Sequence, residues 1–379
     1  MINTEFINTV QHNCNISDAR DNGIYSICML VLKLRNLYKW EHGIEPWQEP
    51  DSGELLDWID AKEKYWETIT EQSYLPLDLN AGCHEPFELH DVNNQLKDKG
   101  LLYGAGYGRS LKSIFFLAEK SREFSVEGCP VIILGREKAR ELSSPFAMLQ
   151  EGTILIRRDP LRYFFWDHIQ EIRSSCKKSL HHALSLYGIV KDGQLDQQAF
   201  RAKLDTIVEE EIPIFIYHEV GETKQQTFDS ETLRKIVAVF PDSVIEYVAR
   251  AVKDVLADTH PEGMLQFIIR EKRAGSLGFY VGFLAGLRRL LSPQILDSFA
   301  GVTEDGDWGG VEKARLACRD SNRQLADTIR SIADRLYSED REEVKMRFYR
   351  EVLTPLGLDI PKADKEKAAG QKNGLAKEH

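Results

Sequence analysis

Basic residues are in the minority in this chain. Lysine and arginine total 49 against 60 aspartates and glutamates, a formal net charge of −11 at pH 7. No dense basic run offsets that balance, so broad electrostatic binding to DNA, RNA or an anionic membrane is not expected. Long apolar runs are missing too. The most apolar segment, 277–287, stops at Arg288-Arg289 and is too short to span a bilayer. The start, Met1-Ile2-Asn3-Thr4-Glu5-Phe6, has no basic region leading into an apolar one, so no secretory signal is expected. The six cysteines (14, 28, 83, 129, 176, 318) form no C-x-x-C pair, which reads as reduced thiols and a cytoplasmic setting. No internal repeat is visible.

What is present is ordinary globular composition, 42% hydrophobic and 29% charged over 379 residues, enough for two domains. Ser17 reads as the N-cap of a first helix, with Ile24, Ile27, Val31, Leu34 and Tyr38 along one face. Asp51 reads as the cap of a second, with Glu54 three residues on and Leu55, Ile59, Trp66 and Ile69 as its buried stripe. From Leu101 the runs 101–103, 113–118, 131–134 and 153–156 favour strands, with a helix over 137–142 between the last two. After Asp159-Pro160 the pattern is helical. The expected fold is α+β and predominantly helical: N-terminal helices with a small antiparallel sheet over 1–158, an all-α helical domain over 159–360, and a disordered tail over 361–379.

The sharpest chemical signal is Tyr217-His218-Glu219-Val220-Gly221-Glu222. On a helix, His218 and Glu222 share a face and make a half-site for Zn or Fe, with Glu219 as a general base or supporting group. The order is neither H-E-x-x-H nor the Glu-x-x-His of di-iron bundles. Asp167, His168 and Glu171 are the candidates to complete the shell, with Asp258 and His260 as a second choice. The bland alternative is a solvated i,i+4 pair. A second signal is Cys14 beside His12, just ahead of the expected helix start, where the dipole would favour a thiolate nucleophile. Cys83-His84 would extend that set toward zinc. Against this stands the ordinary buried cysteine.

Gly104, Gly106 and Gly108, followed by Arg109, Ser110 and Lys112, hint at a phosphate cradle but match no phosphate-binding pattern, and a hairpin accounts for them. Ala274, Gly278, Gly282 and Gly286 recur every four residues, which predicts a helix packed very closely along that ridge. The aromatic run Tyr163-Phe164-Phe165-Trp166 reads as core.

The stretches HNCNISDARDNG, LLYGAGYGRSLKSIFFLAE and SLGFYVGFLAGLRR together resemble an uncharacterised bacterial family. Its members begin with an HNC-(D/N)-ISDAR motif and have an N-terminal and a C-terminal domain of unknown function. The resemblance implies bacterial origin and a two-part architecture and carries no chemistry. The sequence thus reads best as a non-catalytic protein acting on a protein partner or small molecule; the alternative is a metal-dependent enzyme using His218 and Glu222.

Overall fold

A computed structural model of the chain describes residues 4–79, 82–108, 111–170 and 177–358. Glu171, Cys176, Arg109, Ser110 and the expected tail over 361–379 lie outside the described residues. Two compact units are present. One comprises Met1–Thr223 with Glu262–Phe283, the other Lys224–Pro261 with Leu284–His379.

The first unit opens with α1 (Thr4–Asp21), α2 (Ile27–Glu41) and α3 (Ser52–Ile69). The helix expected to begin at Ser17 starts at Thr4, and Ser17 sits inside it, fully buried. Its polar residues have tertiary partners and are not capping a terminus. The break falls at Asn22-Gly23-Ile24, and Ser26 caps α2 by accepting from the Met29 amide. Asp51 caps α3 as its sequence suggested, accepting from the Gly53 and Glu54 amides. Ile16, Leu34, Leu37, Trp66 and Ile69 bring the three helices into one apolar cluster.

A short ladder, β1 (Leu77–Leu79) with β2 (Gly82–His84), leads to α4 (Leu89–Leu96). The main sheet follows: β3 (Leu101–Tyr107), β4 (Ser113–Val126), β5 (Cys129–Arg140), β6 (Ala147–Gln150) and β7 (Thr153–Arg157), in spatial order β3-β4-β5-β7-β6. Two expectations are corrected here. Residues 137–140, expected as the start of a helix, extend β5. Glu137 and Arg140 are buried there in an ionic cluster that also takes in Glu141, with Arg157 Nε 2.6 Å from Glu137 and Nη1 3.2 Å from Glu141. The sheet is also mixed: β6 and β7 form a hairpin whose second strand joins β5 in parallel.

Period-2 alternation gives each face of the sheet a different partner. Tyr103, Ala105, Phe115 and Leu117 pack on Phe6, Val10 and Cys14 of α1, while Leu102, Ile114 and Phe116 build a separate cluster with Leu134 and Leu155. Gly104 belongs to that second face. A Cβ there would come within 2.0 Å of the Phe116 ring, so the glycine makes room for an aromatic side chain.

Beyond the sheet come α5 (Arg158–Gln170), α6 (Lys177–Leu186), the two-residue strands β8 (Val190–Lys191) and β9 (Gln194–Leu195), and the long α7 (Gln197–Lys224). After α8 (Ser230–Val239) and α9 (Val244–Asp258), which belong to the second unit, the chain re-enters the first for α10 (Met264–Arg270) and α11 (Ala274–Phe283). Val131, Ile133, Ile154 and Ile156 of the sheet, Phe165 of α5, Leu180 of α6, Phe200 and Ile207 of α7, and Phe279 of α11 share one core. The glycine ridge has the neighbour it required. A Cβ on Gly278 would lie 2.8 Å from the Ser179 carbonyl oxygen, and one on Gly282 2.4 Å from Leu180, so α11 rests almost backbone to backbone on α6. Gly286 falls outside that contact, at φ +52.

The second unit is helical throughout its described residues. To α8 and α9 it adds α12 (Gly286–Leu290), α13 (Pro293–Asp305), α14 (Trp308–Ala333) and α15 (Arg341–Phe348). Asp229, Ser243, Asp307 and Asp340 each cap a helix through the side chain. Val248, Val252 and Val255 of α9 and Val311, Cys318, Ile329 and Ile332 of α14 are buried. Among the described residues, no helix is long and apolar enough to cross a membrane.

Candidate functional site

Three segments of the first unit converge on one cleft of about 380 Å³. Arg35 reaches it from α2, Trp47 and Glu49 from the turn after α2, Trp166, Asp167 and Gln170 from α5, and Gln197 and Arg201 from the start of α7. The arrangement follows from local structure. Gly43, at φ +64, ends α2 and turns the chain back, which lays Trp47 edge-on to Trp166 with ring centroids 6.3 Å apart. Trp166 is fixed from behind by Phe200, stacked at 4.9 Å with 7° between the rings.

The charges are arranged around those rings. Arg35 Nη2 lies 2.9 Å from Asp167 and its Nη1 3.5 Å from Glu49. Asn36 donates to the other Asp167 oxygen at 2.6 Å. Lys39, with its side chain fully buried, donates to Glu49 at 2.9 Å and to the Pro46 carbonyl. Burial pushes the Asp167 carboxyl up, against the pull of Asn36 and Arg35. Two buried polar atoms here, Arg35 Nε and Asn36 Oδ1, have no hydrogen-bond partner among the described residues. Gln170 and Gln197 pair through their amides at 3.0 and 2.9 Å.

The sequence-predicted residues fall into several settings. His218 and Glu222 stand one turn apart on α7, both half-buried, with ligand atoms within 4.8 Å of each other. Glu219 is buried, and its carbonyl accepts from the Thr223 hydroxyl. Asp167 keeps the company of Arg35 and Asn36, and His168 turns Nδ1 to the Phe164 carbonyl at 2.9 Å while its ring packs on Phe164 and Phe283. No gathering of ligand atoms among the described residues includes Asp167 or His168. In the second unit, Asp258 is fully buried against Arg288. His84 has Glu88 and Asp91 near it, at the start of α4, where acidic side chains complement the helix dipole.

For Cys14 the thiolate expectation is reversed. The residue lies in mid-helix with no exposure, and its Sγ donates to the Phe115 carbonyl at 3.1 Å. Burial pushes the thiol well above its usual range, and the carboxylates of Glu141 and Asp18 push the same way. His12 meets the Tyr65 hydroxyl at 2.8 Å instead. The surrounding motif is a clamp between α1 and the backbone it crosses. Asn13 exchanges two hydrogen bonds with Leu75, and Ser17 donates to the Ser113 carbonyl. Asp18 takes Lys112 at 2.9 Å and the Leu142 amide at 3.0 and 2.9 Å. Burial pulls the Lys112 ammonium down, and Asp18 more than offsets it, leaving its pKa raised.

Two family models divide the chain between them. One is the N-terminal domain of a family of unknown function (DUF6866), over residues 5–157, and the other its C-terminal domain, over 162–351. The chain belongs to the DUF6866 family. No curated protein and no solved structure matches it. Membership fixes no activity, so the DUF6866 cleft has to be read from its own residues. Of the side chains lining it, the sequence points to Asp167 alone as a candidate site residue, and that as a metal ligand. Arg35, Trp47 and Glu49 lie in one stretch that matches no binding motif, Arg201 comes from a distant segment, and Trp166 lies in an aromatic run that reads as core.

Proposed function

We propose that this chain is a binding protein, working in the cytoplasm, whose first unit takes a small molecule in the cleft between α2, α5 and α7. The observation that carries this reading is the pair of tryptophans, one held rigid by Phe200, opening a concave space rimmed by charged groups from three segments. Apolar walls with a few convergent polar groups are what small-molecule sites present. Unpaired free cysteines among the described residues support the reducing compartment. A chemically diverse compound panel, read by thermal stabilisation, tests the reading. Compounds that raise Tm of the wild type should lose that effect in Gln197→Trp, which fills the mouth of the cleft. Ligands that stabilise both forms equally overturn the assignment.

A second reading is metal binding at His218 and Glu222, favoured by their ligand atoms lying within 4.8 Å on one face of α7. Zn or Fe would suit an imidazole and a carboxylate. Elemental analysis of the untagged protein beside a His218→Ala/Glu222→Ala variant decides it: a stoichiometric metal lost in the variant supports the site, and no metal in either rejects it.

A further inference from the structure

We infer that the cleft selects a monoanion with a flat apolar body, such as an aromatic or unsaturated carboxylate; this rests on the binding-site reading above. The argument is one of charge balance. Both acids that line the cleft among the described residues are already committed: Asp167 to Arg35 and Asn36, Glu49 to Lys39 and Arg35. Arg35 and Arg201 line the cleft and balance those two carboxylates, and Lys39, which is fully buried and paired with Glu49, adds one further positive charge to the set in a chain whose net charge is −11. The surplus sits on Arg201, which makes no ion pair among the described residues. Arg162, over the Trp47 ring at 5.8 Å, is committed to Glu45 and Asp205 and adds nothing to the surplus.

A cationic ligand would have to displace Arg35 or Lys39 from its carboxylate, whereas an anion needs to displace nothing. Arg201 offers a planar fork matched to a carboxylate, and Arg35 has a buried Nε donor with no partner. Trp47 and Trp166 supply the surface for the flat body. The Gln170–Gln197 amide pair can present either a donor or an acceptor to a substituent, because each amide can be turned over.

The test uses the full chain and three probes of one shape: benzoate, benzyl alcohol and benzylamine. Binding is followed by tryptophan fluorescence, with Trp47→Phe identifying the reporter. Benzoate should bind about tenfold more tightly than benzyl alcohol, the worth of one charge-assisted contact. Arg201→Gln should remove that tenfold advantage and leave benzyl alcohol unchanged. If benzylamine binds as well as benzoate, or if Arg201→Gln leaves benzoate untouched, the anion inference fails while the cleft survives. If no probe binds and the panel also yields no ligand sensitive to Gln197→Trp, the cleft reading falls with it.

Discussion

Replacing Asp18 with alanine should be among the most damaging single changes in the first unit. The carboxylate is fully buried, as is its partner Lys112, with the charged atoms 2.9 Å apart. Deleting one member leaves a buried ammonium without its counter-ion, which costs about 3–5 kcal/mol. The Leu142 amide, which donates to both Asp18 oxygens, loses its acceptor as well. In urea the midpoint should fall by roughly 1–2 M. Tryptophan fluorescence reads this unit selectively, because Trp40, Trp47, Trp58, Trp66 and Trp166 lie in it and Trp308 does not. The decisive comparison is Asp18→Ala/Lys112→Met. Removing both charges should recover most of the loss and leave about 1–3 kcal/mol for the orphaned amide. A single variant within 1 kcal/mol of wild type, or a double variant no better than the single, would refute the claim that this pair holds α1 to the sheet.

Burial lowers the Lys33 ammonium to about 8, against the pull of Glu141. Between there and its ordinary value of 10.5 the unfolded chain binds the extra proton, so stability should rise with pH across that window, by up to about 3 kcal/mol, and Lys33→Met should flatten the rise relative to wild type. Gly278→Ala presses a methyl onto the fixed Ser179 carbonyl and should cost about 1–3 kcal/mol by urea unfolding, whereas Gly275→Ala, 3.6 Å from Tyr187, should be neutral or stabilising. Brief alkylation at neutral pH, mapped by mass spectrometry, should label exposed Cys28 and Cys83 and spare Cys14, Cys129 and Cys318; rapid labelling of Cys14 would contradict its place in the core.

Much of the architecture was legible because it rests on local chemistry. The Asp51 cap, the strands from Leu101 and the close approach demanded by Gly278 and Gly282 each have a cause within a few residues of sequence. What escaped had a distant cause. Ser17 and Asp18 look like a cap and first turn, but their partners, Ser113, Lys112 and Leu142, lie about a hundred residues away, so a mid-helix clamp reads locally as a start signal. Glu137 and Arg140 look helical because charges are rare in buried strands, and what explains them is Arg157, which pairs with Glu137, and Ser144, which accepts from Arg140. The cleft was hidden for the same reason: its rings and charges meet only after α2, α5 and α7 are placed.

The re-entry of the chain at Glu262 has a consequence for how the protein is made. Phe279 fills part of the core under the sheet, and Gly278 and Gly282 seat against α6, yet both arrive after an excursion through residues 224–261. On the ribosome, the first unit cannot close until residue 283 has emerged, so its apolar surfaces on α6 and α5 wait uncovered while the intervening helices are synthesised. A fragment ended at 157, where the N-terminal family model stops, would bare Ile133, Ile154 and Ile156 permanently. Such a fragment should aggregate, and no single cleavage of the chain releases either unit whole.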